Sequence, residues 1–186
     1  AHPTRAAALH QGGHALALQP ALHQAHTNLA NLLTGLGRTR GAEDLHRRAL
    51  ATHPGSLPSL RALARLRFDA GDLTASEQLF AAALRLAPDH AETRLGLGVV
   101  LKEQGRTDAA ITCWRQLLRS HPDYAAAHNN LGALLRLIRR PDEALHHLRI
   151  AVRIAPRDAM AAANLSHALI DVGQLREAEA VARGIV

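Results

Sequence analysis

The stretch Pro122–Pro156, PDYAAAHNNLGALLRLIRRPDEALHHLRIAVRIAP, contains the clearest copy of a unit that recurs along the chain. Prolines stand at 20, 54, 88, 122 and 156, so each is separated from the next by 34 residues. Nine residues after each proline comes a leucine, and the residue after that leucine is small. These leucines are Leu29, Leu63, Leu97, Leu131 and Leu165. A fixed period of this length predicts a stacked repeat architecture, in which we expect the leucines to be buried.

A glycine marks the middle of most repeats. It falls seventeen residues after four of the five prolines, and Arg139 takes that place in the repeat after Pro122. Because glycine tolerates the left-handed backbone that ends many helices, this place predicts a turn between two helices. Each repeat is therefore predicted to be a helical hairpin.

These marked places resemble the tetratricopeptide repeat, a helix–turn–helix unit of 34 residues. The resemblance covers nearly the whole chain. It implies an all-α fold, a right-handed α-solenoid superhelix whose first helices line the inner, concave surface. Aromatic residues are nearly absent. Of the large residues that such repeats place late in the second helix, Phe80 and Trp114 are present, and His46 and Leu148 stand at the same place in other copies.

We expect one continuous array over residues 1–186, opening with a partial repeat, 1–22, whose helix we place at Ala6–Gln19. The full repeats are predicted at 23–56, 57–90, 91–124 and 125–158, and a truncated one at 159–186. A solenoid needs a polar outer face on its last repeat. Val181, Ile185 and Val186 are apolar. We therefore expect the natural protein to continue, or another copy to cover this end.

Helical periodicity and the flanking prolines place the individual helices. The spacing predicts helices at Gln24–Leu36, Thr39–Thr52 and Thr74–Leu86. Pro58 and Pro141 fall where proline opens a helix. Cys113 and Trp114 are expected in or near the core of the third full repeat.

The composition argues against several classes of protein. The formal net charge is +6, but the arginines are dispersed over every repeat and no aromatic platform for bases accompanies them. We therefore do not expect nucleic-acid binding. The sequence contains no run of 18 or more apolar residues, so no membrane span is predicted. The lone Cys113 suits a reducing compartment, which predicts a cytoplasmic location.

Nothing in the sequence predicts catalysis. No HExxH or GxSxG motif is present, and Cys113 has no activating neighbour in sequence. Closely spaced histidines offer pairs of possible metal ligands, but no further ligand follows at a recognisable spacing. The pairs are His10 and His14, His23 and His26, and His146 and His147. We expect surface histidines, no metal, no cofactor and no enzyme.

Asparagine recurs at the sixth residue of the repeats, at Asn28, Asn130 and Asn164. An amide both donates and accepts hydrogen bonds, so it can pair with the backbone of an extended peptide. The segments 26–30 and 128–132 are similar to the repeats of protein O-linked N-acetylglucosamine transferase. That resemblance implies an asparagine ladder in the groove that holds substrate polypeptide. Ala62 and Gly96 interrupt the ladder here, and the amides alternatively only solvate a polar helix face.

Arginines occupy the middle of the predicted groove, at Arg61 and Arg65. A guanidinium holds a carboxylate at two points. This arrangement resembles the carboxylate clamp of co-chaperone repeats, although the lysine–asparagine pairing of that clamp is not matched. An ordinary solvated charged face is the alternative.

The function predicted from these features is a protein-interaction scaffold that binds an extended peptide or a partner helix along the concave groove. The predicted contacts are Asn28, Asn31, Arg61, Arg65, Asn130, Asn164 and His167. Two alternatives stay open. The chain is the substrate-recruiting arm of a larger enzyme such as a glycosyltransferase, or it self-assembles into a homo-oligomer through its apolar C-terminal end.

Overall fold

The computed structural model describes residues 22–184, and this part of the chain is all-α. The predicted helix at Ala6–Gln19 and the terminal Ile185 and Val186 lie outside the described residues. Successive helices pair as hairpins, as predicted. The helices are α1 (residues 22–35), α2 (Thr39–Thr52), α3 (Leu57–Asp69), α4 (Leu73–Leu86), α5 (Ala91–Glu103), α6 (Thr107–Ser120), α7 (Ala125–Leu137), α8 (Pro141–Ile154), α9 (Ala159–Asp171) and α10 (Leu175–Ala182).

The contacts divide the chain into two compact units that meet in sequence between Pro88 and Asp89. The first unit contains α1 to α4, and the second unit contains α5 to α10. The single array over residues 1–186 stays a prediction.

The turn inside each hairpin repeats one backbone arrangement. The central residue is a glycine with φ between 71° and 79° at Gly37, Gly71, Gly105 and Gly173. Arg139 adopts the same left-handed conformation, with φ of 61°. At each turn an N–H just past this residue donates to a carbonyl of the preceding helix, as Arg140 N does to Leu135 O at 2.9 Å. These bonds satisfy carbonyls at the helix end and confirm the predicted turns.

In the second unit, helices cross closely because a small residue stands at each crossing. A Cβ atom added at Gly132 would lie 2.6 Å from Leu148 Cγ, and one at Gly98 would overlap Trp114 Nε1. The Trp114 indole lies over α5 and donates from Nε1 to Leu95 O at 3.3 Å. The small residue after each leucine is therefore a packing requirement in these repeats.

Three of the five repeat leucines are buried as predicted. Leu63 is buried in the first unit, and Leu131 and Leu165 are buried in the second. Leu131 packs in a cluster with Trp114 of α6, and Leu165 packs in a cluster with Leu148 of α8. In the second unit, each of these leucines is covered by the second helix of the preceding hairpin.

The prediction is wrong for Leu29 and only partly met by Leu97. Leu29 is 48% exposed, and Leu97 is partly exposed beside an open cavity of about 400 Å³. Leu131 and Leu165 differ from them because each packs against the second helix of the preceding hairpin of the same unit.

The expectation of an apolar outer end is also wrong at Val181. This residue is buried, because it faces α9 and packs in the cluster that contains Leu165 and Leu169. Arg176 and Glu179 of α10 and Arg183 just after it are exposed, and so is the apolar Leu175 at the start of the helix.

Polar side chains occupy much of the core of the first unit. Thr27 Oγ1 and Ser59 Oγ lie 2.9 Å apart and join α1 to α3, and Ser76 Oγ donates to Ala64 O at 2.8 Å. His46 is fully buried, and neither of its ring nitrogens has a hydrogen-bond partner among the residues that the structure describes. It stands at the place that Trp114 and Leu148 fill in the second unit.

Candidate functional site

The first helices of the second unit lie side by side. Helix α7 contacts both α5 and α9, in addition to the second helices that pack behind it. Residues three, four or seven apart on each helix share a face, and on these helices that face is open to solvent or half-buried. We call it the first-helix face, and it comprises Val99 and Lys102 of α5, Ala126, Asn130, Ala133 and Leu137 of α7, and Met160, Ala163, His167 and Ile170 of α9.

An amide pair ties two of these helices together. Asn164 Nδ2 of α9 donates to Asn129 Oδ1 of α7 at 2.9 Å. Asn129 is buried, whereas Asn130 and Asn164 are half-buried. The sequence predicted Asn130 and Asn164 as contacts and did not predict that Asn129 pairs with Asn164. Part of the hydrogen-bonding capacity of the predicted ladder is therefore used between helices.

Charged side chains on and beside this face are paired as well. Arg136 Nη1 of α7 lies 2.9 Å from Asp171 Oδ2 of α9, and Lys102 Nζ of α5 lies 2.7 Å from Glu103 Oε1. Each pair neutralises a cation that would otherwise attract an acidic partner. The Arg136–Asp171 pair also bridges neighbouring repeats at the carboxyl ends of their first helices.

Large apolar side chains project from the same face. Leu137 is 65% exposed, Met160 is 66% exposed and Ile170 is 52% exposed. Ala163 and His167 lie between the last two on α9 and are also exposed. Of the predicted contacts in the second unit, His167 is thus the one whose side chain is open to solvent.

The remaining predicted contacts belong to the first unit. Asn28 and Asn31 are exposed on α1, and Arg65 is exposed on α3. Asn28 Oδ1 accepts a hydrogen bond from Gln24 Nε2 at 3.1 Å. Arg61, also on α3, is half-buried. Their role as contacts stays a prediction.

A histidine pair links α7 to α8. His128 Nε2–H donates to Pro122 O at 2.9 Å, which leaves His128 Nδ1 to accept from His147 Nδ1–H, also at 2.9 Å. Burial lowers the pKa of His128, and burial followed by the nearby His128 lowers the pKa of His147 to about 4. Both rings are therefore neutral at pH 7, and the pair acts as a structural hydrogen bond.

Cys113 has the properties of a core residue. Its Sγ donates to Arg94 O at 3.3 Å, and burial raises the pKa of the thiol to about 11. A thiol that stays protonated is a poor nucleophile. The predicted burial of Cys113 and Trp114 is confirmed.

Residues 22–184 contain no group of three or more His, Cys, Asp or Glu side chains arranged to hold a metal ion. None of the helices in this range has the length and apolar character needed to cross a membrane.

Comparison with family models identifies the repeats. A tetratricopeptide repeat model matches residues 61–111 and 95–159, which together cover more than half of the chain. A second tetratricopeptide repeat model matches residues 27–53. No curated protein matches the sequence closely enough to count as a relative.

Solved structures share the fold at low identity. PilF of Pseudomonas aeruginosa has a TM-score of 0.79 at 19% identity, over 89% of this chain and 77% of PilF. TTC0263, a thermophilic TPR protein of Thermus thermophilus, has a TM-score of 0.70 at 24% identity, over 86% of this chain and 87% of TTC0263. YrrB, described as a TPR protein with an unusual peptide-binding site, has a TM-score of 0.66 at 18% identity, over 86% of this chain and 82% of YrrB.

Proposed function

The chain belongs to the tetratricopeptide repeat family, and from that premise we propose that it is a protein-interaction scaffold whose second unit binds a partner segment on the first-helix face. The first helices α1 and α3 carry the further proposed contacts Asn28, Asn31, Arg61 and Arg65 in the first unit.

One observation carries the proposal. The side chains of the first-helix face are not buried in the core, although the helices that carry them are held in place by packing on their other side. Leu137, Met160 and Ile170 are each more than half exposed. Exposed large apolar side chains grouped on one face of a packed scaffold are typical of surfaces that bind other proteins.

The rigidity of the face supports the same function. The Asn164–Asn129 hydrogen bond and the Arg136–Asp171 ion pair both run between α9 and α7. Each therefore helps to hold the spacing of neighbouring first helices. A surface that is already ordered loses less conformational entropy when a partner binds.

The chemistry of the face suits recognition better than catalysis. Asn130 offers an amide and His167 an imidazole, and both can exchange hydrogen bonds with a peptide. YrrB, which shares the fold, is described as having a peptide-binding site. We propose a peptide-like ligand for this chain as well.

A pair of alanine-to-arginine variants tests the site. Peptides that bind the full chain are first selected from a random library displayed on phage. Ala126→Arg adds a long charged side chain to the first-helix face, whereas Ala182→Arg makes the same change at an exposed position of α10. We expect Ala126→Arg to weaken binding by at least about tenfold, which is about 1.4 kcal/mol, and Ala182→Arg to leave it unchanged.

Both positions are exposed, so both variants should fold, and circular dichroism melts check this. Equal binding by the two variants would place the site elsewhere on the chain. Failure to select any peptide would contradict the proposed function itself.

A further inference from the structure

We infer that the segment bound by the first-helix face is an amphipathic α-helix anchored by apolar side chains, rather than an extended or acidic peptide. This inference rests on the proposed function and specifies its partner. The basis is which polar and charged groups near the face are already hydrogen-bonded or ion-paired, and which side chains are exposed to solvent.

An extended peptide needs hydrogen-bonding groups that this face does not supply in a row. The backbone of an extended segment exposes an N–H and a C=O at every residue, and these must be paired when water is excluded. Asn164 Nδ2 and Asn129 Oδ1 are bonded to each other, and Asn129 is buried. Ala126, Ala133 and Ala163 have no polar side-chain group to offer.

A helix avoids this difficulty because it satisfies its own backbone hydrogen bonds. Its side chains then decide recognition, and the open side chains of α9 are spaced to meet them. Met160, Ala163, His167 and Ile170 follow one another at intervals of three, four and three residues. This ridge is about 15 Å long, or close to three helical turns. A partner helix with apolar residues at i, i+3 or i+4, and i+7 matches it.

Charge complementarity points to the same partner. An acidic peptide would need unpaired cations, yet Arg136 is paired with Asp171 and Lys102 with Glu103. Attracting an acidic side chain would mean breaking one of these pairs. Apolar anchors require no such exchange, and the flexible Met160 can adapt to different partner side chains. The ridge of α9 formed by Met160, Ala163, His167 and Ile170 carries no carboxylate or guanidinium where a partner would lie.

The test uses the peptides selected on the full chain from the random library. Their affinities are measured by fluorescence anisotropy for the unaltered chain and for the variants Met160→Glu and Ile170→Glu. Both residues are more than half exposed, so a carboxylate is tolerated in the free protein. We expect peptides with apolar residues at helical spacing, which become helical on binding and lose at least about tenfold in affinity with either variant.

Leu175→Glu is the matched control. Leu175 is 63% exposed but begins α10, outside the first-helix face. Its substitution should leave the affinity unchanged. A different outcome would overturn the inference of a helical partner and leave the proposed function standing. The selected peptides would then be acidic or extended, and they would bind Met160→Glu and Ile170→Glu normally but lose affinity for Ala126→Arg. Selected peptides that bind all of these variants equally would contradict both.

Discussion

Arg139 holds a backbone conformation that glycine holds at the equivalent turns, with φ of 61°. A residue with a side chain loses roughly 1–2 kcal/mol of stability in this conformation, and glycine avoids this cost. Part of that advantage is offset because glycine has more conformational freedom to lose when the chain folds. We therefore expect Arg139→Gly to raise the free energy of unfolding by roughly 0.5–1 kcal/mol. Urea denaturation measures the change.

The neighbouring arginine provides the control for this prediction. Arg140 has φ of −111°, so glycine relieves no strain there. Arg140→Gly should lower stability slightly, since it also removes the contact with Glu143. Stabilisation by both substitutions, or by neither, would contradict the assignment of strain to Arg139.

The His128–His147 pair predicts a pH dependence of stability. Both rings are neutral in the folded chain, where burial holds their pKa values below the ordinary value of 6.5. His147 in the folded chain takes up a proton near pH 4, whereas an unfolded histidine does so near 6.5. The stabilisation is complete above about pH 6.5 and is lost as the pH falls towards 4.

Several charges face this pair, from α6, from α8 and from the turn before α7. Arg115, His146 and Arg153 oppose protonation, and Asp123 and Glu143 favour it. His147 is partly exposed, so after allowance for solvent screening we expect a loss on the order of 1–2 kcal/mol between pH 6.5 and 4.

Urea denaturation at a series of pH values checks this prediction. His147→Gln keeps a donor for His128 but does not titrate, so it should flatten the profile. His146→Gln, at an exposed neighbouring position, should change it less. An unaltered slope in His147→Gln would show that other groups cause the dependence.

At this scale the sequence predicted single residues better than pairs. The burial of Cys113 and Trp114 follows from their place in an amphipathic repeat. The bond between His128 and His147 does not, because it joins residues 19 apart through the crossing geometry of two helices. The sequence instead drew attention to the adjacent His146 and His147, whose side chains cannot share one helix face.

The helices themselves were largely readable from the sequence. The predicted helix Thr39–Thr52 is observed with the same bounds. Gly37 forms the turn before it, and Pro54 disfavours helical backbone in the residue that follows Thr52. The burial of the repeat leucines was predicted less well. Leu131 and Leu165 are buried against the preceding hairpin of their unit, a contact that the sequence of a single repeat does not reveal, whereas Leu29 is exposed and Leu97 is half-buried.

The close helix crossings make a prediction about glycine. A Cβ at Gly132 would meet Leu148 and the backbone of Ala144, so Gly132→Ala should overpack the crossing of α7 and α8. We expect a loss of about 1–3 kcal/mol in the free energy of unfolding. Gly35 has open space around its Cβ position, so Gly35→Ala should instead be neutral or stabilising by up to about 1 kcal/mol. Chemical denaturation of both variants checks this, and similar effects would contradict the close crossing.

For the whole molecule, the two units differ in what fills their cores. Both units bury apolar side chains, such as Leu63 in the first and Leu131 in the second, and both bury a few polar ones. The first unit also buries His46, whose ring nitrogens have no hydrogen-bond partner among the described residues, at the place that Trp114 and Leu148 fill in the second unit. Buried polar groups contribute less than apolar ones, and an unpaired one costs free energy. We expect backbone amides of α2 and α3 to exchange with deuterium at least about tenfold faster than those of α7 and α8. Equal protection would show that core composition does not set local stability here.

The sequence indicated the class of site but not its detailed chemistry. It placed Asn130, Asn164 and His167 on first helices, where the structure also has them. It did not show that Asn164 is hydrogen-bonded to Asn129, or that Arg136 forms an ion pair with Asp171, because both contacts join neighbouring repeats. Those contacts turn a predicted polar ladder into a face whose open groups are mostly apolar.

The most direct test of the proposed site is a chemical-shift map of the full chain titrated with a peptide selected from the random library. We expect the largest backbone amide shifts on α5, α7 and α9, around Ala126, Ala133, Met160, His167 and Ile170. Shifts concentrated on the second helices α6, α8 and α10 would contradict it.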